Sequence, residues 1–185
     1  TVTAPSTPDY VPVHARIAVL RTYLQLLEPS AERDAPPLPV GAEIEEERPC
    51  SVLTYRTLYS GVGGPYHWRD RLTWSDDRLA AHLARTSVRI WTLRDDAGMG
   101  GYFELERHTD GSVEIAYFGL LPSRHGRGLG RALLEHAIEE GWRWGANRLW
   151  LHTCTLDGPT ALPNYRARGF SPFRTESYEA DIPDA

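Results

Sequence analysis

The stretch that most constrains this chain runs from Ser112 to Gly145. Its first part, Ser-Val-Glu-Ile-Ala-Tyr-Phe-Gly-Leu-Leu-Pro, is rich in β-branched and aromatic residues. It predicts a strand that ends at Pro122, which has no N–H to continue a ladder. The second part, Ser-Arg-His-Gly-Arg-Gly-Leu-Gly, alternates glycine with arginine and leucine. The third places Leu129, Ala132, Leu133, Ala137 and Trp142 near helical spacing and predicts a helix. Strand, glycine-rich basic loop and helix make a geometry that holds phosphate. The first N–H groups of a helix lack internal partners, the macrodipole makes that end positive, and glycine lets an anion approach the backbone. Taken by itself, the same stretch also reads as a tight strand-to-helix turn with solvated arginines.

Spacing narrows the choice. There is no Gly-x-x-x-x-Gly-Lys-Ser/Thr, and the chain contains no lysine at all. Gly126, Gly128 and Gly130 give G-x-G-x-G rather than the dinucleotide-binding fingerprint, and they come late in the chain. His125-Gly126-Arg127-Gly128-Leu129-Gly130 instead resembles motif A of the GNAT superfamily of N-acetyltransferases, Gln/Arg-x-x-Gly-x-Gly/Ala, with His125 where Gln or Arg is usual. Downstream, Asn164-Tyr165-Arg166-Ala167-Arg168-Gly169-Phe170 is similar to that family's Tyr-x-x-x-Gly-Phe ending. The resemblance covers the chain from Val88 onward, while the first half matches in general layout only.

The resemblance implies an α/β (α+β) fold with a mixed, mostly antiparallel central sheet, a splayed strand pair and about four flanking helices. It implies acetyl-CoA as co-substrate and no metal. The pyrophosphate would lie on the backbone of Arg127, Gly128, Leu129 and Gly130, flanked by His125 and Gly126, with charge from Arg124, Arg127 and Arg131. The pantetheine arm would pair with the end of the central strand at Phe118, Leu120 and Leu121. The family's usual asparagine before the tyrosine motif is here Gly158, and Thr155, Asp157 or Asn164 are the candidates to replace it.

Acetyl transfer to an amine needs a neutral amine, a stabilised oxyanion and a proton for the departing thiolate. A free alkyl ammonium has a pKa of about 10, so a base must take its proton. Glu114, early on the central strand, resembles the family's catalytic glutamate, though a glutamate there can equally pair with a neighbouring arginine. His67, Glu104 and His152 are secondary candidates, His152 also as an acceptor contact. Tyr165 matches the family's general acid. A backbone N–H near Gly119 or Leu120, where a bulge is expected, would meet the oxyanion. Cys154 reads as a small core residue. Acceptor specificity would reside in the first half, where Tyr55, Tyr59, Tyr66, His67, Trp68 and Trp74 crowd around Arg69 and Arg71. Of these, Tyr59, Trp68 and Arg71 are the expected acceptor contacts, by stacking or by holding a carboxylate.

The remaining sequence sets bounds. The chain has 185 residues, enough for one domain with a substantial core. Its net charge of −5 argues against a nucleic-acid or anionic-membrane partner. Without lysine, Schiff-base chemistry is excluded. Cys50 and Cys154 make no metal or disulfide pattern, and no apolar run approaches the roughly 20 residues of a membrane span. With no signal-peptide pattern, the expected location is cytoplasmic, and the expected state is a monomer or homodimer.

Residues 1–12 read as a flexible tail, and 13–185 as a single domain, with acceptor-side helices at about 49–86 and the acetyl-CoA core at about 88–185. The apolar segment from His14 to Leu27 reads as strand or short helix, and 42–48 as an acidic extended edge. Helices are expected over 51–60, broken by Gly61-Val62-Gly63-Gly64-Pro65, and from Asp76 to about Arg85, capped at Ser75. Strands are expected at 88–94, 100–107, 148–155 and 173–182, with a short helix from about Thr160 to Arg168. These expectations describe an N-acetyltransferase acting on a primary amine of a small molecule by direct attack. The alternatives are a non-catalytic acyl-CoA sensing domain and a protein N-terminal acetyltransferase.

Overall fold

The computed structural model describes residues 14–30 and 36–183, so the expected tail lies outside the described residues. Seven strands form one sheet in the order β2-β3-β4-β5-β6-β1-β7. They are β1 (His14–Leu26), β2 (Glu43–Glu46), β3 (Val88–Asp95), β4 (Gly98–Arg107), β5 (Val113–Leu120), β6 (Leu149–Cys154) and β7 (Ser171–Pro183). Four helices flank them: α1 (Val52–Gly63), α2 (Asp76–Leu83), α3 (Leu129–Arg143) and α4 (Ala161–Arg166). All neighbours are antiparallel except β5 and β6, the parallel pair that α3 joins.

Each face of the sheet carries its own core. Leu24, Leu105, Val113, Leu133, Ile138 and Leu149 gather under α3 and α4. Tyr55, Leu58, Leu79, Ile90 and Tyr102 gather under α1 and α2. Both early helices start where the polar residues predict. Ser51 Oγ accepts from Thr54 N at 3.0 Å and Ser75 Oγ from Arg78 N at 3.2 Å, satisfying donors that the helix leaves open. Among the described residues no helix is long and apolar enough to cross a membrane.

One element settles an open alternative, and two others differ from the sequence expectation. The ambiguous first segment is a strand, and it lies between β6 and β7, antiparallel to both. Its periodicity was undecided because pairing on both edges, not a single buried stripe, holds it. The helix α1 does not break at Gly61 but continues through Gly63. A Cβ at Gly61 would lie 2.6 Å from Leu121 Cδ2, and one at Gly63 only 2.3 Å from the Trp68 ring. These glycines are packing surfaces for neighbouring side chains rather than helix breakers. The bulge in β5 falls at Ala116, not at Gly119 or Leu120. Glu104 pairs with Tyr117 and Leu105 with Ile115, leaving Ala116 unpaired.

Candidate active site

The bulge sets the site. An extra residue reverses side-chain parity along a strand. Val113 and Ile115 face the α3 core, and after the bulge it is Phe118 and Leu120 that do so. Tyr117 then turns to the α1 side, and Gly119 packs there against Val62. Parallel pairing of β5 with β6 stops at Glu114 opposite Trp150. Beyond that point the strands separate, and the edge of β5 from Ile115 to Leu120 lines a cleft of about 820 Å³. The expected splayed pair is therefore present, and its open edge can accept an added strand-like arm.

One end of the cleft reaches the glycine-rich loop. Gly126 and Gly128 have φ of 74° and 75°, the left-handed region, and a Cβ at either would meet nothing. Their glycine requirement is thus conformational rather than one of space. The helix α3 follows Gly128 with no side-chain cap and no acidic residue in its first turn; Arg131 N bonds the Gly128 carbonyl at 3.2 Å, and the N–H groups of Leu129 and Gly130 remain available to an anion.

Of the three arginines expected to supply charge, only Arg131 lines the cleft. Arg124 is buried, donates from Nη2 to Asp95 Oδ1 at 2.9 Å, and forms an ion pair with Nε 2.8 Å from Oδ2. Arg127 reaches the same carboxylate at 3.2 Å. Desolvation opposes ionisation of Asp95, but hydrogen bonds from Arg124 and Ala97 N hold its carboxyl below the usual range. His125 lines the cleft and places Nε2 3.2 Å from the Leu120 carbonyl. Leu121, Arg127, Gly128 and Leu129 are not on the cleft wall; Leu129 is a core residue.

At the other end lie the titratable groups. Tyr165, on α4, lines the cleft with its ring against Phe118 and Phe170. Its hydroxyl makes no hydrogen bond among the described residues. Burial, reinforced by the negative charge of Asp157, pushes this phenol up, so it stays protonated at neutral pH. Glu114 is itself behind the cleft wall, and His152 is on it. The Glu114 carboxylate lies 3.9 Å from His152 Nε2 and 3.1 Å from His108 Nε2. Burial raises Glu114 to about 7 despite the hydrogen bond to His108. Burial, with Arg21 nearby, lowers His152 and keeps its imidazole neutral.

Among the candidates for the missing asparagine, Thr155 Oγ1 accepts from Leu20 N at 3.2 Å. One carboxylate oxygen of Asp157 takes Thr153 Oγ1 at 2.5 Å and Cys154 N at 2.9 Å, closing the turn after β6. Asn164 lines the cleft with its side-chain amide uncommitted among the described residues.

Of the residues expected to contact the acceptor, Trp68 and His152 line the cleft. Trp68 lines the cleft beside Tyr117, with ring centroids 5.1 Å apart. Tyr59 and Arg71 do not reach it. Tyr59 is buried behind Trp68 and Tyr117. Arg71 turns to the fully buried Glu104 at 3.4 Å and stacks on Trp74 at 4.0 Å. Glu104 also takes Tyr55 OH at 2.5 Å and meets His82 Nε2 at 2.8 Å, so it anchors the wall and stands away from the cleft. His82, Glu104 and Glu106 bring possible metal-binding atoms within 4.8 Å of one another, but Arg71 and Arg85 already pair with the two carboxylates.

Sequence reasoning missed the opposite wall, where Arg21 on β1 and Tyr178, Ala180 and Ile182 on β7 face the cleft. Nothing local marks them, because only the pairing of β1 with β7 brings them there. Asp95 and His108 were missed as well. Each sits in or beside a hairpin turn, and its partner comes from another element.

A sequence model of the acetyltransferase (GNAT) family matches residues 55–170. An uncharacterized N-acetyltransferase of Mycobacterium tuberculosis is 38% identical over 77 residues, 42% of this chain and 49% of that protein. Streptothricin acetyltransferase of Streptomyces lavendulae is 35% identical over 91 residues, 48% of this chain and 45% of that protein. The chain thus spans about half the length of these relatives. A tandem GNAT protein from the clavulanic acid biosynthesis pathway superposes with a TM-score of 0.64 at 16% identity, over 93% of this chain and 56% of that one. A GCN5-related N-acetyltransferase from Kribbella flavida gives 0.62 at 19% identity, over 92% and 61%. The family match spans the bulged strand, the glycine-rich loop and the tyrosine motif that together build the cleft, and the chain belongs to the GNAT family of acetyltransferases.

Proposed function

We propose that this chain transfers an acetyl group from acetyl-CoA to a primary amine of a small molecule by direct attack within a ternary complex. The observation that carries this reading is the continuity of one cleft. It runs from the uncapped start of α3, along the unpaired edge of β5, to Tyr165 and His152. The backbone opening α3, with Arg131, would hold the diphosphate, and Asn164 the adjoining arm. The amine would enter between Trp68 and Tyr117 on one side and the β1–β7 wall on the other.

His152, neutral and backed by the Glu114 carboxylate, would take the proton from the acceptor nitrogen. Backbone N–H groups on the open edge of β5 would face the developing oxyanion. Tyr165, held protonated, would give its proton to the departing thiolate and regain one from the second N–H of the tetrahedral adduct, so that the proton taken by His152 is the one released per turnover. The acceptor-side region at about 49–86 would supply specificity to the core at about 88–185, in a cytoplasmic setting. The aromatic wall and the likeness to an antibiotic acetyltransferase support a small acceptor.

Two measurements test this. Calorimetry should show coenzyme A binding that is lost in Gly128→Val. Thiol release should be seen with acetyl-CoA and at least one amine from a panel of tyramine, tryptamine, free amino acids, aminoglycosides and streptothricin. Binding of coenzyme A without turnover of any amine or N-terminal peptide would favour an acyl-CoA sensor. No binding at all would overturn both.

A further inference from the structure

Acetylation of an ammonium by a thioester gives an amide, a thiol and one free proton, so each turnover must discharge a proton to solvent. That requirement is sharpest once acetyl-CoA and the acceptor fill the cleft and cover His152. The structure offers a route on the other side of the sheet junction. Glu114 sits where β5 and β6 begin to part, with its side chain 13% exposed. Its two oxygens face different histidines, Oε1 toward His152 on the cleft wall and Oε2 toward His108. His108 follows β4, is 36% exposed, and is not part of the cleft lining. We propose that His108 is the proton outlet of the site, passing to solvent the proton that His152 takes from the acceptor and Glu114 relays between them. The inference rests on the acetyl-transfer reading. In the relay, the acceptor N–H bond breaks as imidazole N–H forms on His152. The opposite nitrogen of that ring, Nε2, then gives its proton to Glu114 Oε1 through one bridging water across the 3.9 Å gap, and Oε2 hands one directly to His108 at 3.1 Å and so to solvent, so no charge accumulates behind the wall.

The surroundings fit a carboxylate that changes charge easily. Glu106 stands opposite Glu114 on β4, and Glu104 lies further along that strand. Arg85 neutralises Glu106 at 2.8 Å rather than Glu114. From β6, Trp150 pairs with Glu114 and its ring lies 5.4 Å from that of His108. On the cleft side, Tyr23 and Arg21 of β1 flank His152, whose proton Arg21 disfavours and Asp157, Asp70 and Glu176 favour. Among the described groups facing Glu114, the two imidazoles each carry two ring nitrogens, so one nitrogen can take a proton while the other gives one.

His108→Gln tests the outlet. With the panel amine that gives the fastest thiol release, kcat in dilute buffer should fall at least about tenfold. Both KM values should stay unchanged, the solvent deuterium isotope effect should rise, and high concentrations of imidazole buffer should restore the rate. A second readout needs no turnover. At fixed pH, Glu114→Gln should shift the His108 side-chain nitrogen resonances in NMR and speed exchange of its Nε2 proton, because the hydrogen bond at 3.1 Å loses its carboxyl partner. Unmoved His108 side-chain resonances in Glu114→Gln, or a His108→Gln rate within twofold of the parent in dilute buffer, overturns the outlet while transfer stands. If no amine is acetylated by the parent, the transfer reading fails and the outlet with it.

Discussion

Tyr165 and Glu114 owe their chemistry to burial rather than to residue type. Tyr165 is 8% exposed, beside Phe118 and Phe170. Tyr165→Phe removes one hydroxyl from a ring whose packing is otherwise unchanged. The expected result is a kcat lower by about 100-fold with the acetyl-CoA KM nearly unchanged, read by thiol release. Glu114 carries a stability signature as well. Its folded pKa is about 7, above the ordinary 4.5. Between those values the folded chain holds more protons than the unfolded one, so stability falls as pH rises through that window. The contribution is nil below the unfolded value and reaches on the order of 3 kcal/mol of destabilisation above the folded one. Thermal melts should therefore show Glu114→Gln gaining stability relative to the parent between pH 5 and pH 8. A constant difference across that range would contradict the buried, protonatable state.

At the scale of elements, two packing contacts stand behind the proposed binding surfaces. The β3–β4 hairpin delivers Asp95 to Arg124 and Arg127, tying the glycine-rich loop to the sheet. Asp95→Ala should weaken coenzyme A binding about tenfold by calorimetry while the acceptor KM moves little, because the loop loses its fixed shape rather than a phosphate ligand. The helix α1 acts as a spacer behind the acceptor wall. A Cβ at Gly63 would press on the Trp68 ring, so Gly63→Ala should raise the acceptor KM several-fold and leave the acetyl-CoA KM alone. Equal changes in both constants would mark a general folding defect. The extents of most elements were legible in the sequence. Ser51 and Ser75 cap helices because their hydroxyls are the nearest acceptors for unpaired N–H groups, and Pro122 ends β5 as a residue without a donor must. The glycines of α1 were not legible, since a glycine kept for packing and one kept for a turn look alike until the neighbour arrives.

Across the whole molecule, β1 is an interior strand although it comes first in the chain, and it ties β6 to β7. Leu24 is fully buried at that junction, and Leu24→Ala should cost about 2–5 kcal/mol in chemical denaturation. Hydrogen exchange should find the amides of 21–26 as protected as those of β5. Fast exchange there would show that β1 is an independent flap and that the far wall of the cleft is not fixed.

The sequence by itself determined the parts whose physics is local. A glycine-rich turn ahead of an amphipathic helix is written in the spacing of residues a few positions apart, and Tyr165 four residues before Gly169-Phe170 carries its motif unaided. Only the tertiary structure decided that Arg124 pairs with Asp95, that Tyr59 and Arg71 stand behind the cleft wall, that Ala116 is the bulge, and that Glu114 lies between histidines on two sides. Each of these depends on strand register between segments far apart in sequence. Shifting a register by one residue exchanges the faces of a strand, and no pattern within one strand records where its partner will lie.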